Sequence, residues 1–238
     1  MKIGYFGDSY CAGTSEHDIY GHDDNGDLSL LSWPAIATKL VNGSMTGLCQ
    51  SGDTLWHTYE YLCENIQDFD IIIICVSDPI RPPNKHRIPT IDSKSFESKI
   101  AKTFLNEKDL SNFVNYLKLK TQFEPREFKY VAQIGVLTKI DELLGIHKKK
   151  SLILPSFKNS LQGYKFKNSS QINISLNEDI KVRMLKKNNL LKVKNLDIVN
   201  HFFKKENDVL GKAVADFILS DSNEKVINFK KYFEYLDS

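Results

Sequence analysis

Arginine is scarce in this 238-residue chain. Only Arg81, Arg87, Arg126 and Arg183 stand among 32 basic residues, and the net charge is +2. Arginine is the bidentate reader of phosphate, so its scarcity weighs against a phosphate-binding role. A balance this close to neutral also leaves no electrostatic footprint for nucleic acid. No apolar run approaches the roughly 20 residues of a membrane span, and no secretory leader precedes the first apolar segment. The expected setting is therefore cytoplasmic and away from membranes. Cysteine is limited to Cys11, Cys49, Cys63 and Cys75, with no C-x-x-C pair. This excludes a disulfide framework and a zinc site of ordinary spacing, and leaves reduced core thiols as the expectation. A glycine-rich phosphate loop is also missing, which disfavours a flavodoxin-like nucleotide binder.

What remains is an ordinary soluble composition, 41% hydrophobic and 26% charged, long enough for one sizeable α/β domain. Ile3 to Phe6 form a short apolar strand, followed at once by Gly7-Asp8-Ser9. That order delivers a serine hydroxyl to the carboxyl edge of a sheet, where ligands of open α/β folds bind. Gly7 permits the bend. The plain alternative is a strand-to-helix turn with Asp8 or Ser9 as its cap. Cys11, two residues on, is a rival nucleophile or simply a small buried hydrophobe.

The polar stretch 14–29 reads as a loop. His17, His22, Asp23, Asp24 and Asp27 lie within it, but Gly21 falls where a calcium loop needs its first acidic ligand, so no metal is expected. Ser32 and Pro34 open a helix to about Leu40. Met45 to Cys49 is a second strand, and Asp53 or Thr54 caps a helix with Leu55, Tyr59, Leu62 and Ile66 inward. Phe69 to Val76 is apolar without alternation, as a central parallel strand must be. Helices are expected over 94–104, 109–120 and 125–145, the last with Phe128, Val131, Ala132, Gly135, Leu137 or Thr138, and Leu143 on helical spacing and Gly145 as its stop. Lys148 to Lys150 read as a solvated charge run before a strand at 151–155. The lysine- and asparagine-rich 156–191 segment reads as an insertion or lid over one lip of the site, a partner surface, or a poorly ordered loop. Val209, Leu210, Ala213, Val214, Phe217 and Ile218 mark the inner face of a helix over 206–219. A last amphipathic helix is expected over 223–236, with Val226, Phe229, Phe233 and Leu236 inward.

Near the far end stand Asp197 and His201, completing the chain order Ser…Asp…His. With Gly7-Asp8-Ser9 at the first strand, this resembles the SGNH (GDSL-type) hydrolase family, and the 200–210 segment resembles the histidine-bearing helix entry of its phage-type members. The resemblance covers roughly residues 1–76 and 195–219. It implies a single three-layer α/β/α sandwich with a parallel sheet of about five strands. It further implies a serine esterase with Ser9 as nucleophile, His201 as base and Asp197 orienting it, without metal or organic cofactor. Gly52 stands where the family's oxyanion glycine stands. The family's Gly-x-Asn-Asp is here Cys75-Val76-Ser77-Asp78, so the asparagine donor is absent, and either the Ser77 hydroxyl or Arg81 reaching back would have to replace it. The Asp–His separation is four positions rather than three. Arg81 and Asp78 are the expected substrate contacts at that edge. The implied substrate is a small acyl ester or an O-acylated carbohydrate, and an acceptor other than water would make the site a transferase. The departures leave a second expectation open, a fold kept as a binding or structural module of a virion or surface assembly, alone or as a homo-oligomer. His57, His86 and His147 have no such context.

Overall fold

β1 (Lys2–Gly7) is the second strand of a six-stranded, wholly parallel sheet and carries the serine turn at its carboxyl end. The structure, a computed structural model, describes residues 1–11, 20–22, 28–49, 54–78, 126–191, 202–221 and 224–237, with positions 111, 112 and 115. The expected helices over 94–104 and most of 109–120 lie outside the described residues.

The chain order after β1 is β2 (Tyr20–His22), β3 (Leu28–Leu31), α1 (Trp33–Leu40), β4 (Ser44–Cys49), α2 (Leu55–Asn65), β5 (Ile71–Val76), α3 (Arg126–Ile146), β6 (Lys150–Pro155), β7 (Ser170–Ile172), α4 (Val182–Lys187), α5 (Lys204–Leu219) and β8 (Val226–Ile227). The sheet order is β4-β1-β5-β6-β7-β8. β5 sits between β1 and β6, and every one of its six residues is buried. Its apolar run divides by alternation: Ile71, Ile73 and Cys75 face one core, Ile72, Ile74 and Val76 the other. The first core takes Trp33 and Ala37 of α1 and Leu210, Val214 and Phe217 of α5. The second takes Leu55 and Leu62 of α2 and Leu137, Ile140 and Leu144 of α3. Helices thus cover both faces, which gives the three-layer α/β/α class expected from the sequence. Each fully buried isoleucine of β5 adds roughly 1.5–3 kcal/mol of burial free energy.

Six strands are present rather than about five, because two short ones carry no apolar run. β7 lies within 156–191, the segment expected to form an insertion or lid. That segment also sends Leu161, Phe166, Leu176, Ile180 and Met184 into the two cores, so it is built into the fold. β8 replaces the start of the expected last helix. Val226 is exposed, and a 3-10 turn over Lys230–Leu236 carries Phe233 and Leu236 inward. The stretch expected to be a polar loop includes the antiparallel pair β2–β3.

Three side-chain assignments are corrected. Phe128 and Val131 are exposed, and the inner face of α3 is Gln133, Leu137, Ile140, Asp141 and Leu144. A buried glutamine and a buried aspartate on that face mislead any reading by hydropathy. Gly145 does not stop α3. The left-handed residue is Lys148 (φ 51°), and a Cβ on Gly145 would meet the Asn168 side chain at 2.5 Å. The lysine run is not simply solvated: Lys149 Nζ donates to Phe69 O at 2.6 Å and Lys150 Nζ to Ile218 O at 3.0 Å, satisfying carbonyls at segment ends.

Asp141 is a heavily used carboxylate. It accepts from the backbone N–H groups of Lys167 (2.7 Å), Asn168 (3.0 Å) and Ser169 (3.1 Å), and from Ser169 Oγ (3.1 Å). Asp141→Ala leaves those donors without this acceptor in a turn where Ser169 is buried and Lys167 and Asn168 are exposed, and a loss of about 1–3 kcal/mol is expected. Urea unfolding is the check, and an unchanged midpoint would refute the capping role. No helix among the described residues is long and apolar enough to cross a membrane.

Candidate active site

The connection from β1 runs through α1 on one face, while the connection from β5 leads to α3 on the other. Adjacent strands whose connections leave to opposite faces open a crevice at their carboxyl ends. Ser9 and Ser77 stand on the two sides of that point.

The turn that presents Ser9 is held from several directions. Gly7 has φ 129°, and a Cβ there would stand 2.2 Å from Cys75 O, so only glycine lets β1 turn this close to β5. Asp8 is fully buried, and its Oδ1 accepts from Tyr10 N (3.1 Å) and Ser156 Oγ (3.1 Å). Cys11 N closes the turn on Asp8 O at 2.9 Å. Asp8 therefore does structural work inside the turn, and Ser9 between these anchors is half-buried.

Tyr10 is the hub beside Ser9. Its hydroxyl donates to Asn177 Oδ1 at 2.6 Å, and its carbonyl accepts from Trp33 Nε1 at 2.7 Å. Its ring lies 5.8 Å from that of Phe157 and 5.7 Å from that of Phe202, while Lys181 Nζ stands 5.9 Å from its centre. Burial lowers the pKa of the Lys181 ammonium.

Ser77 and Ser156 directly follow β5 and β6, so three serines stand within two residues of the carboxyl ends of three adjacent strands. Ser156 N donates to Val76 O at 3.0 Å. The Ser77 hydroxyl is buried and has no hydrogen-bond partner among the described residues. The Ser77 carbonyl accepts from Gln133 Nε2 at 3.0 Å, and the same nitrogen reaches Ser160 O at 2.7 Å, tying α3 to this edge. Asp78 is half-buried at the rim. Gly52, Arg81, Asp197 and His201 lie outside the described residues, as do the side chains of the 17–27 histidines and aspartates.

The structure brings Ser9, Ser77 and Asp78 to one sheet edge as expected and adds Ser156, Asn177, Gln133 and Lys181, which the sequence did not mark. Ser156 carries a usable signal, since it follows an apolar strand ending in proline as Ser77 follows β5. Asn177 and Lys181 sit in a π-helical turn (Leu176–Lys181) with no motif of their own.

The C-terminal part of the chain reaches the same edge. Phe202, the neighbour of His201 in sequence, is fully buried against Tyr10, the neighbour of Ser9. Asn207 locks this arrangement: Oδ1 accepts from Trp33 N at 3.0 Å, while Nδ2 donates to Phe202 O and Phe203 O, each at 3.2 Å. It caps α1, which Ser32 was expected to do through its own side chain. Asn207→Ala strips Trp33 N and Phe202 O of this buried partner, while Phe203 O keeps the backbone N–H of residue 207, and about 2 kcal/mol of stability should be lost. Chemical denaturation reads this directly, and a variant as stable as the parent would show that the bonds are replaceable by solvent.

No family model, curated protein or solved structure matches this chain significantly. Among the described residues, no group of three His, Cys, Asp or Glu side chains is gathered to hold a metal.

Proposed function

We propose that this chain is a serine ester hydrolase in which Ser9 is the nucleophile, His201 the general base and Asp197 the residue that orients it. The observation carrying this reading is the 5.7 Å packing of Tyr10 on Phe202, residues adjacent in sequence to Ser9 and His201. It supports a site assembled from two regions that the chain holds far apart in sequence.

In this mechanism the imidazole of His201 takes the Ser9 proton as Oγ attacks an acyl carbonyl. The tetrahedral oxyanion is held by the backbone N–H groups of Ser9 and Gly52. The buried Ser77 hydroxyl supplies the third donor in place of the missing asparagine side chain. Collapse expels the alcohol, protonated by His201. Water, deprotonated by the same imidazole, then releases the acid from the acyl-enzyme. Asp78 and Arg81 contact the substrate at the rim. A small acyl ester, such as an O-acetyl group on a carbohydrate, is the substrate class this reading implies.

The test is hydrolysis of p-nitrophenyl acetate by the purified protein, with a fluorophosphonate probe to trap the nucleophile. The expected outcome is turnover, together with a single phosphonyl adduct mapped to Ser9. Absence of both would overturn the esterase and leave the binding or structural module.

A further inference from the structure

Three of the four cysteines converge on the turn that carries Ser9. Gly7 pairs in register with Cys49, the last residue of β4, on one side and with Cys75 of β5 on the other. Cys11 Sγ stands 2.7 Å from Cys49 Sγ, and the Cys75 thiol is close enough to influence that of Cys11. Cys63, on α2, is exposed.

The three thiols differ in access and freedom. Cys11 and Cys75 are fully buried, whereas Cys49 is half-buried. Burial pushes the Cys11 thiol well above its usual range, so it is a poor first reactant toward an oxidant. Cys75 lies in a strand paired on both sides, while Cys49 ends β4, which among the described residues has a neighbour on one side only. A disulfide needs the two sulfurs to close from 2.7 Å to about 2.05 Å. A strand end paired on one side makes that movement more easily than a central strand.

We propose that Cys49 and Cys11 are a modification site, forming a reversible disulfide that fastens the Gly7-Asp8-Ser9 turn to the end of β4. With a peroxide as oxidant, the Cys49 thiolate attacks one peroxide oxygen, the O–O bond breaks and hydroxide leaves, giving a sulfenic acid at Cys49. The Cys11 sulfur then attacks the Cys49 sulfur. The S–S bond forms, the S–O bond breaks, and the hydroxyl group leaves with the Cys11 proton as water. Two thiols lose two electrons, and one hydrogen peroxide becomes two waters. The bridge closes a loop that contains β2, β3, α1 and β4.

The experiment treats reduced, full-length protein with a few equivalents of hydrogen peroxide, alkylates with iodoacetamide under denaturing conditions, and maps peptides without reduction. The expected product is a Cys11–Cys49 peptide pair, 2 Da lighter than its dithiol and reversed by dithiothreitol, with Cys63 and Cys75 alkylated. Restraining the unfolded chain should raise Tm by roughly 5 °C in the oxidised wild type. Cys49→Ser should show neither the bridge nor the shift. Cys49 remaining a thiol, Cys49 passing to sulfinic acid, a bridge to Cys75, or a dimer through Cys63 as sole product would each overturn the proposal. None of these readouts depends on esterase activity, so failure here and failure of the hydrolase reading are told apart.

Discussion

Ester hydrolysis by Ser9→Ala is expected to fall by about 10⁴-fold or more relative to the parent, with the far-ultraviolet circular dichroism unchanged. His201→Ala should cost about as much, and the double variant should be scarcely worse than either single one. Residues that act as one nucleophilic unit lose their contribution together, so the penalties do not add. That pattern separates a catalytic pair from two unrelated contributions, whose effects would multiply. Ser77→Ala should be milder, at roughly 10²-fold, because it removes one oxyanion donor of three. Equal rates in the parent and all four variants would sink the mechanism while leaving the fold untouched. Ser9 is half-buried and its neighbours Asp8 and Tyr10 hold the turn by their own bonds, so loss of one hydroxyl should not unfold it.

Gly7→Ala is expected to act on the fold itself, removing about 4 kcal/mol or more. A Cβ at this position lies 2.2 Å from Cys75 O and 2.9 Å from Cys75 Cβ, and the backbone sits at φ 129°. Neither obstacle yields easily. The oxygen is backbone, β1 is paired with β4 and β5, and β5 is in turn paired with β6. Backbone strain and overpacking therefore combine. At 2–4 °C per kcal/mol for a chain of this size, the melting temperature should drop by roughly 8–16 °C. Differential scanning calorimetry measures it, and a drop below about 3 °C would mean that β1 and β5 separate at the edge without penalty.

The central architecture was legible because its signals are strong and local. Phe69 to Val76 has one reading, and Gly7-Asp8-Ser9 after an apolar strand marks the carboxyl edge by residue type alone. α5 was legible by its stripe, and Leu210, Val214 and Phe217 do face the core. The rest was hidden for definite reasons. β7 and β8 owe their existence to neighbours, since segments of only two or three residues become strands only when an edge is there to accept them. Asp141 and Gln133 look like surface residues to any hydropathy reading, because what makes them inner is a set of donors and acceptors brought from distant turns. At the candidate site, Ser9, Ser77 and Asp78 were marked by position after a strand. Ser156, Asn177 and Lys181 depended on how 156–191 folds back on the sheet, which periodicity does not encode.

The bond between Trp33 and Asn207 spans 174 positions of sequence, and α1 packs against α5 through the same contact. On a ribosome, β1, α1 and the strands that follow emerge long before residues 204–219 do. Until then the face of α1 that bears Trp33 and Ala37 lacks its covering helix, and Tyr10 lacks Phe202. Closing such a loop is slow and comes late, after the local units have formed. The nascent chain therefore carries an open apolar flank until residues 202–219 have been made, exposed to chaperones and to other unfinished copies. The same order of events keeps the serine turn from acquiring its C-terminal neighbours until that helix emerges, which delays any activity of the proposed site until the fold can contain it.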